Sequence, residues 1–155
     1  MSSDSKPTFI RPVKLTDARP LQMMCWPDRS LDNIAEMLQR AEKLVFNRRG
    51  LGVVAERAGT ACAFGLLTLW PRTAEISDLI IHEAYRGQGI GSQIITYLEL
   101  TARKLQAQIL EIGVALANPR ALALYRRLGF EDHHTIKIDL GDGPETVLYL
   151  YKSLH

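Results

Sequence analysis

Apolar and polar positions change period several times along this chain, and each change marks an element boundary. Residues 8–13, TFIRPV, alternate and include β-branched residues, which predicts a first strand. Thr16 and Asp17 then open a short helical stretch with Pro20 in its first turn. From Ser30 the apolar residues Leu31, Ile34, Ala35, Leu38, Ala41, Leu44 and Val45 recur at helical spacing. Ser30 is a natural N-cap, and Asp32 suits the first turn, where backbone N–H groups lack intrahelical partners. After Gly50 and Gly52 the period falls to that of strands. LGVVAE and ACAFGLLTLW are apolar runs joined by RAGT, a hairpin whose turn holds Gly59. AEISDLIIH (74–82) alternates and then becomes wholly apolar at Leu79–Ile81, which predicts a strand passing from half-buried to buried.

Helical spacing returns after a glycine-rich stretch, with Ile90, Ile94, Ile95, Leu98, Ala102 and Leu105 on one face. QILEIGVAL reads as a strand. NPRALALYRRL reads as a helix, with Asn118 at the N-cap, Pro119 at the first helical position and Gly129 at the stop. HHTIKIDL and ETVLYLY are the last strands, turning through GDGP. The order is β-α-α-β-β-β-α-β-α-β-β, with no internal repeat and no linker. Crossovers around the two later helices call for parallel pairing locally, and the hairpins call for antiparallel pairing. An α/β (α+β) domain over residues 8–155 follows, after a flexible N-terminus at 1–7, with a mixed sheet and helices on both faces.

Composition narrows the function. A chain of 155 residues suits one sizeable core. The net charge of +2 argues against nucleic acid, which draws a concentrated basic stripe. The basic pair Arg48–Arg49 reads as a solvated helix end. Cys25 and Cys62 lie far apart along the chain without CxxC spacing, so neither a disulfide framework nor a zinc site is indicated, and each reads as a small buried hydrophobe. No apolar run approaches the ~18 residues of a membrane span, and no signal-peptide core opens the sequence. The expectation is a soluble cytoplasmic protein without metal or membrane partner.

The stretch YRGQGIG carries the first chemical signal. A strand, a glycine loop and a helix in that order make a phosphate site, because the helix start offers unpaired N–H groups and glycine lets an anion approach the backbone. Arg86 adds a full charge. A bare strand-to-helix turn rarely needs three alternating glycines. A P-loop needs a lysine after its last glycine, and here Ser92 follows Gly91. A dinucleotide fingerprint needs GxGxxG with an acid ~20 residues on. Glu111 stands near that distance, but the third glycine comes one position early and three strands already precede the loop.

Arg86-Gly87-Gln88-Gly89-Ile90-Gly91 fits Arg-x-x-Gly-x-Gly and resembles the pyrophosphate-binding loop of the GNAT superfamily of acyl-CoA-dependent N-acetyltransferases. LIIHEAYRGQGIGSQII is similar to that family's central motif, and NPRALALYRRLGF to its second signature. The element order agrees over nearly the whole chain. The resemblance implies a largely antiparallel sheet of about seven strands, splayed between the fourth and fifth where the strands end in Ile81 and Val114. It implies acetyl-CoA as co-substrate, no metal, a small-molecule or peptide amine as acceptor, and leaves a homodimer open. Backbone groups at Leu79, Ile80 and Ile81 would pair with the pantetheine arm. The amides from Arg86 through Gly87, Gln88, Gly89, Ile90, Gly91 and Ser92 would hold the pyrophosphate, and Asn118 would contact the arm. Tyr125 matches the usual general acid.

The chemistry agrees with these roles. Acyl transfer from a thioester to an amine builds negative charge on the carbonyl oxygen, which a preorganised backbone N–H near Ile81 would stabilise. The departing thiolate needs a proton, and a tyrosine with an unperturbed pKa of ~10 can supply it at neutral pH. Tyr125 could instead be a core aromatic, although Leu122, Leu124 and Leu128 already give that helix its apolar surface. Glu75, Asp78 and Glu111 are candidate bases. Odd spacing puts Glu75 and Asp78 on opposite strand faces unless a bulge intervenes. Asp78, just before the cofactor-pairing stretch, is favoured, because several relatives place a substrate-facing acid there. Gly113 stands where the ribosomal-protein N-terminal branch of the family carries a catalytic Glu, and Glu111, on the same strand face, would then act through water. Each acid could equally be a solvated or structural carboxylate. His133 and His134 should point to opposite faces and so not chelate one metal, and HEAYR lacks the second histidine of HExxH. Trp26 and Trp70 read as core or pocket-wall residues. The acceptor would be set by MMCWPDRS and DLGDGPE. The alternative to an enzyme is a non-catalytic acyl-CoA-binding or sensing module.

Overall fold

The strands expected from the alternating runs all form: β1 (Thr8–Pro12), β2 (Gly50–Arg57), β3 (Thr60–Leu69), β4 (Thr73–Ile81), β5 (Ile109–Ala115), β6 (Glu131–Asp139) and β7 (Pro144–Ser153). A computed structural model describes residues 7–139, 141 and 143–155, so residues 1–6 of the expected flexible start, and Leu140 and Asp142 of the last hairpin, lie outside the described residues. The strands make one sheet in the order β1-β2-β3-β4-β5-β7-β6. Every neighbouring pair is antiparallel except β4 with β5. The helices are α1 (Ala18–Cys25), α2 (Leu31–Phe46), α3 (Ile90–Lys104) and α4 (Pro119–Arg127). Among the described residues no helix is long and apolar enough to cross a membrane.

Two local expectations change. The crossover through α3 joins neighbouring parallel strands, but the one through α4 does not, because β7 inserts between β5 and β6. The β6–β7 hairpin allows this: one strand returns along the other and fills the free edge of β5. The first helix also starts later than Thr16–Asp17 suggested. Leu15–Asp17 is a 3₁₀ turn, and Asp17 becomes the N-cap residue of α1. Its buried carboxylate accepts two hydrogen bonds from Arg11 (2.8 and 2.9 Å) and one from the Lys14 N–H (2.8 Å). Burial alone would raise the Asp17 pKa, but Arg11 and the Lys14 amide together hold it below the ordinary aspartate value. Arg11 also donates to Glu56 at 2.7 Å, tying β1, β2 and the start of α1 together.

The sheet divides the core into two layers. Leu21 of α1 and Ile34 and Leu38 of α2 pack with Val54 and Phe64 on one face. Ile94, Leu98 and Ala102 of α3 pack with Leu67, Ala74, Ile76 and Leu110 on the other. Each such fully buried leucine or isoleucine contributes about 1.5–3 kcal/mol, which is why the helical spacings of α2 and α3 translate directly into layers. Ser30 caps α2 by accepting from the Asn33 N–H at 3.1 Å. Cys25 and Cys62, distant in sequence, meet: the Cys25 Sγ donates to the Cys62 carbonyl at 3.5 Å, and burial pushes the Cys25 thiol up to about 12. Trp26 packs edge-on against Phe64 with centroids 5.7 Å apart, whereas Trp70 is 53% exposed and is no core residue.

Candidate functional site

The parallel pair β4–β5 supplies the opening. Its register runs from Thr73↔Ile109 to Ile76↔Ile112 and stops, while β4 continues to Ile81 and β5 to Ala115. Beyond Ile76 the polar backbone atoms that β4 turns toward β5 therefore have no strand partner. A bulge aids the divergence: Phe64 pairs with Ile80 but Leu66 with Ser77, so β4 carries an extra residue against β3. Asp78 sits in this bulge with φ of 54°, a left-handed conformation that costs a non-glycine residue roughly 1–2 kcal/mol. The bulge also resets the strand's alternation. Ile76 and Leu79 both pack in the α3 layer, and Ile80 packs in the α1–α2 layer.

One expectation for β4 is thereby reversed. Ala74 and Ile76 are buried, but Leu79, Ile80 and Ile81 are only half-buried. The continuous apolar run is not the strand entering the core. It lines a cleft, because the neighbour that would have covered it has moved away.

The glycines do two different jobs. Gly87 (φ 75°) and Gly89 (φ 82°) hold left-handed conformations, and Gly89 is the N-cap residue of α3. Intrahelical bonding there begins with Gln93 N–H to Gly89 carbonyl (3.1 Å), so the N–H groups of Ile90, Gly91 and Ser92 remain unpaired within the helix. Gly91 is instead a packing glycine. A Cβ there would stand 3.3 Å from Ile81 Cδ1 and 3.4 Å from Leu124 Cδ2, so its absence lets α3 approach β4 and α4. Arg86 donates to the Ile81 carbonyl at 3.2 Å, linking the loop to the end of β4. Gln88 turns outward to the Arg57 guanidinium and, at 3.4 Å, to the Ala84 carbonyl. Arg57, which also lies over the Tyr85 ring at 5.1 Å, braces the loop from the β2–β3 hairpin.

A cleft of about 670 Å³ collects these parts. It is lined by every proposed cofactor contact except Gln88: Leu79–Ile81 on one wall, Arg86, Gly87 and Gly89–Ser92 at one end, and Asn118 from α4. The Asn118 side chain accepts from the Ala121 N–H at 3.2 Å and so caps the helix whose residues form the second wall. Tyr125 is on that wall. Its ring is buried, 6% exposed, and tilts against Phe130 at 6.3 Å. Its hydroxyl has no hydrogen-bond partner among the described residues, yet no buried side-chain oxygen is left unsatisfied, so the hydroxyl keeps access to the cleft. Burial raises its pKa above the ordinary tyrosine value.

The carboxylates lie elsewhere. Asp78 is exposed at the bulge and is not among the lining residues. Glu75 and Glu111 are direct register partners across β4 and β5. Trp70 Nε1 donates to Glu75 at 3.2 Å. Burial first, and then the Glu75 charge, push the Glu111 carboxyl above the ordinary glutamate value, against a smaller opposing pull from His134 and His133. Glu111 also pairs in register with Tyr151, and Gly113 with Tyr149. A Cβ at Gly113 would come within 3.0 Å of the Tyr149 ring, so that ring covers the place a longer side chain would take.

Sequence reasoning misplaced the histidines. A bulge between Asp132 and His134 breaks the alternation of β6, and His133 stacks on Tyr151 (3.9 Å, 11°) while His134 stacks on Tyr149 (5.1 Å, 10°). Both therefore share the face of Glu111, with their Nδ1 atoms 2.9 Å apart, one donating and the other accepting. Among the described residues no group of three or more His, Cys, Asp or Glu is arranged to hold a metal ion. Sequence reasoning also missed Arg120 and Arg127, which line the cleft from α4. Their sign was present as charged positions two helical turns apart, but nothing local says which face the helix turns inward.

A sequence model of the acetyltransferase (GNAT) family matches residues 15–130. An uncharacterized N-acetyltransferase of Methanocaldococcus jannaschii is 36% identical over 64 residues, 41% of this chain and 28% of the relative. One of Bacillus subtilis is 31% identical over 103 residues, 66% of this chain and 61% of the relative. The chain thus spans less than two thirds of the length of either relative. An acetyltransferase of Salmonella typhimurium, solved with its cofactor acetyl-CoA, superposes with a TM-score of 0.79 over 96% of this chain and 95% of that one; at 19% identity the likeness is one of fold.

Proposed function

The chain belongs to the acetyltransferase (GNAT) family, and from that premise we propose that it transfers an acetyl group from acetyl-CoA to a primary amine by direct attack in a ternary complex. One observation carries this reading. A proton-bearing hydroxyl, an unpaired stretch of β4 backbone and the unpaired amides of a glycine-capped helix share a single cleft. The amides would take the pyrophosphate. The unpaired edge of β4 would hydrogen-bond the pantetheine arm as a missing strand would, which accounts for the splay.

The nitrogen attacks the thioester carbon, the C–S bond breaks, and the sulfur leaves as a thiolate. A backbone N–H near Ile81 stabilises the charge on the carbonyl oxygen, a kind of contact worth about 3 kcal/mol. Tyr125 protonates the departing sulfur, and its raised pKa keeps the proton in place until then. The amine's proton leaves toward Glu111. Val114 lies three residues further along β5, roughly 10 Å away, so the transfer runs through water. The raised proton affinity of Glu111 suits it to this role; neither it nor Asp78 is among the residues that line the cleft.

Incubation with acetyl-CoA and a panel of primary amines, followed by free-thiol release, tests the reading. Turnover with at least one amine is expected, and none across a broad panel counts against it. A non-catalytic acyl-CoA-binding module is the second reading, favoured by Gly113, which brings no carboxylate and where a Cβ would crowd the Tyr149 ring at 3.0 Å. It would show tight binding of acetyl-CoA without transfer.

A further inference from the structure

The helices cover the sheet unevenly. The α1–α2 layer includes Val54 of β2, Phe64 and Leu66 of β3 and Ile80 of β4, and no residue of β5, β6 or β7. On β5 and β7, Leu110, Ile112, Leu148 and Leu150 turn into the α3 layer. Alternation then turns Glu111, Gly113, Tyr149 and Tyr151 to the opposite side, beyond the reach of the α1–α2 layer. Glu75 lies between Ala74 and Ile76, both buried in the α3 layer, and so faces the same way. Pairing of β5 with β4 stops at Ile112, so this bare face continues through Gly113 into the opening.

The face is negative as well as bare. Neither Glu75 nor Glu111 has an ion-pair partner among the described residues. The Trp70 indole donates to Glu75, while Glu111 has no hydrogen-bond partner among the described residues. Burial first, and then the charges of Glu75 and Glu111, push the Tyr149 phenol above the ordinary tyrosine value. Tyr151 is the register partner of Glu111, and the stacked imidazoles of His133 and His134 hold both phenol rings beside the acids.

We propose that this face holds the far end of the acceptor, and that the acceptor is an aliphatic diamine or polyamine. One neutral amine attacks at the opening while a second, protonated nitrogen sits against Glu75 and Glu111. The inference rests on the acyl-transfer reading above and adds the substrate class to it. An ammonium brings three N–H donors to two carboxylates that only accept, and its charge relieves their mutual repulsion. The aliphatic segment crosses Gly113, where the absent side chain leaves the Tyr149 ring as the surface it meets. Glu111 stands about 10 Å from Val114 along the strand, so two nitrogens separated by about that distance fit best. A monoamine leaves the acidic pair unanswered. Glu75 takes no part in removing the amine's proton, so it is the residue that tests the grip.

Steady-state kinetics with acetyl-CoA and a ladder of terminal diamines, each against the monoamine of equal length, tests this in wild-type protein and Glu75→Gln. Wild-type kcat/KM should be about tenfold or more higher for the best diamine than for its matched monoamine, and the advantage should fall away as the diamine shortens. Glu75→Gln should remove the advantage through KM rather than kcat. A thermal melt checks that the variant folds. Equal use of diamines and monoamines at every length would overturn the proposal. So would an advantage that survives in Glu75→Gln, or a lysine-containing peptide preferred to every diamine. Amines are still acetylated in each of those cases, so the acyl-transfer reading survives them. CoA has no acyl group to give, so calorimetric titration of the best-fitting diamine onto the CoA complex reads the face without turnover. Wild-type protein should bind the diamine about tenfold more tightly than Glu75→Gln does. Such binding with no amine acetylated would overturn the acyl-transfer reading and leave the diamine face standing; neither binding nor turnover would overturn both.

Discussion

The two sides of the β4–β5 opening are made of different material. On the α3 side the grip is backbone: unpaired amides at Ile90–Ser92, glycines held at positive φ, and a strand edge with no neighbour. On the opposite side the surface is side chain: Glu75 beside Glu111, and the Tyr149 and Tyr151 rings with histidines stacked on them. Backbone groups are fixed by the fold and cost nothing further to orient. The side-chain face carries an electrostatic penalty, because like charges directly opposite on neighbouring strands destabilise a sheet. The first design suits a ligand that never changes, such as a cofactor. The second keeps two carboxylates side by side, offset in part by the Trp70 indole and the two histidines.

This contrast can be broken on either side. The largest effect is expected at Tyr125, the proposed general acid. Tyr125→Phe should lower kcat by about 100- to 10,000-fold and leave the Kd for CoA within about twofold, read by rapid-quench kinetics and titration calorimetry; comparable losses in both would make Tyr125 a packing residue instead. Its raised pKa also places the alkaline fall in activity of the wild-type protein above the ordinary tyrosine value of ~10. Next comes the backbone wall. Gly89→Val forces a β-branched residue to φ near 82° and should weaken CoA binding by about ten- to a hundredfold.

The side-chain wall should respond with opposite signs in rate and stability. Glu111→Gln should lower kcat/KM by about tenfold and remove the acid limb of its pH profile, which in the wild type lies above the ordinary glutamate pKa. Because the folded pKa of Glu111 is raised, its ionisation disfavours the native state, and the penalty appears as pH rises through that value. The same variant should therefore be more stable at neutral pH, by about 0.2–1 kcal/mol in urea unfolding. A loss of both rate and stability would contradict this account of the surface. The smallest effect on activity is expected far from both walls. Asp17→Asn should cost about 2 kcal/mol of stability with kcat nearly unchanged. The Asp17 pKa is lowered in the folded state, so its contribution is present above the ordinary aspartate value of ~3.9 and fades as pH falls through the folded value. The gap between variant and wild type should narrow as pH falls below the ordinary aspartate value.

The same contrast explains what could be read in advance. Gly87, Gly89 and Gly91 announce the loop because no other residue serves there, and Ser30 and Asn118 announce their helices because capping is a local event. The role proposed for Tyr125 came from the resemblance to a family, and the structure adds that its hydroxyl faces the cleft. Other features stayed hidden. Alternation put His133 and His134 on opposite faces, and a bulge put them together. The apolar run Leu79–Ile81 looked like core, and the missing neighbour made it a wall. Arg120 and Arg127 are indistinguishable from Arg126 by residue type, and only the orientation of α4 separates them.

By itself the sequence determined the element order, the starts of α2 and α4 and the glycine loop, since hydrophobic period, capping and glycine conformation act over a few residues along the chain. The tertiary structure alone decided where β4 and β5 part, which strand β7 would join, which strands bulge, and therefore which carboxylates, rings and arginines face one another. Those outcomes depend on register between segments distant in sequence, and shifting a strand by a single residue turns every side chain to the other face.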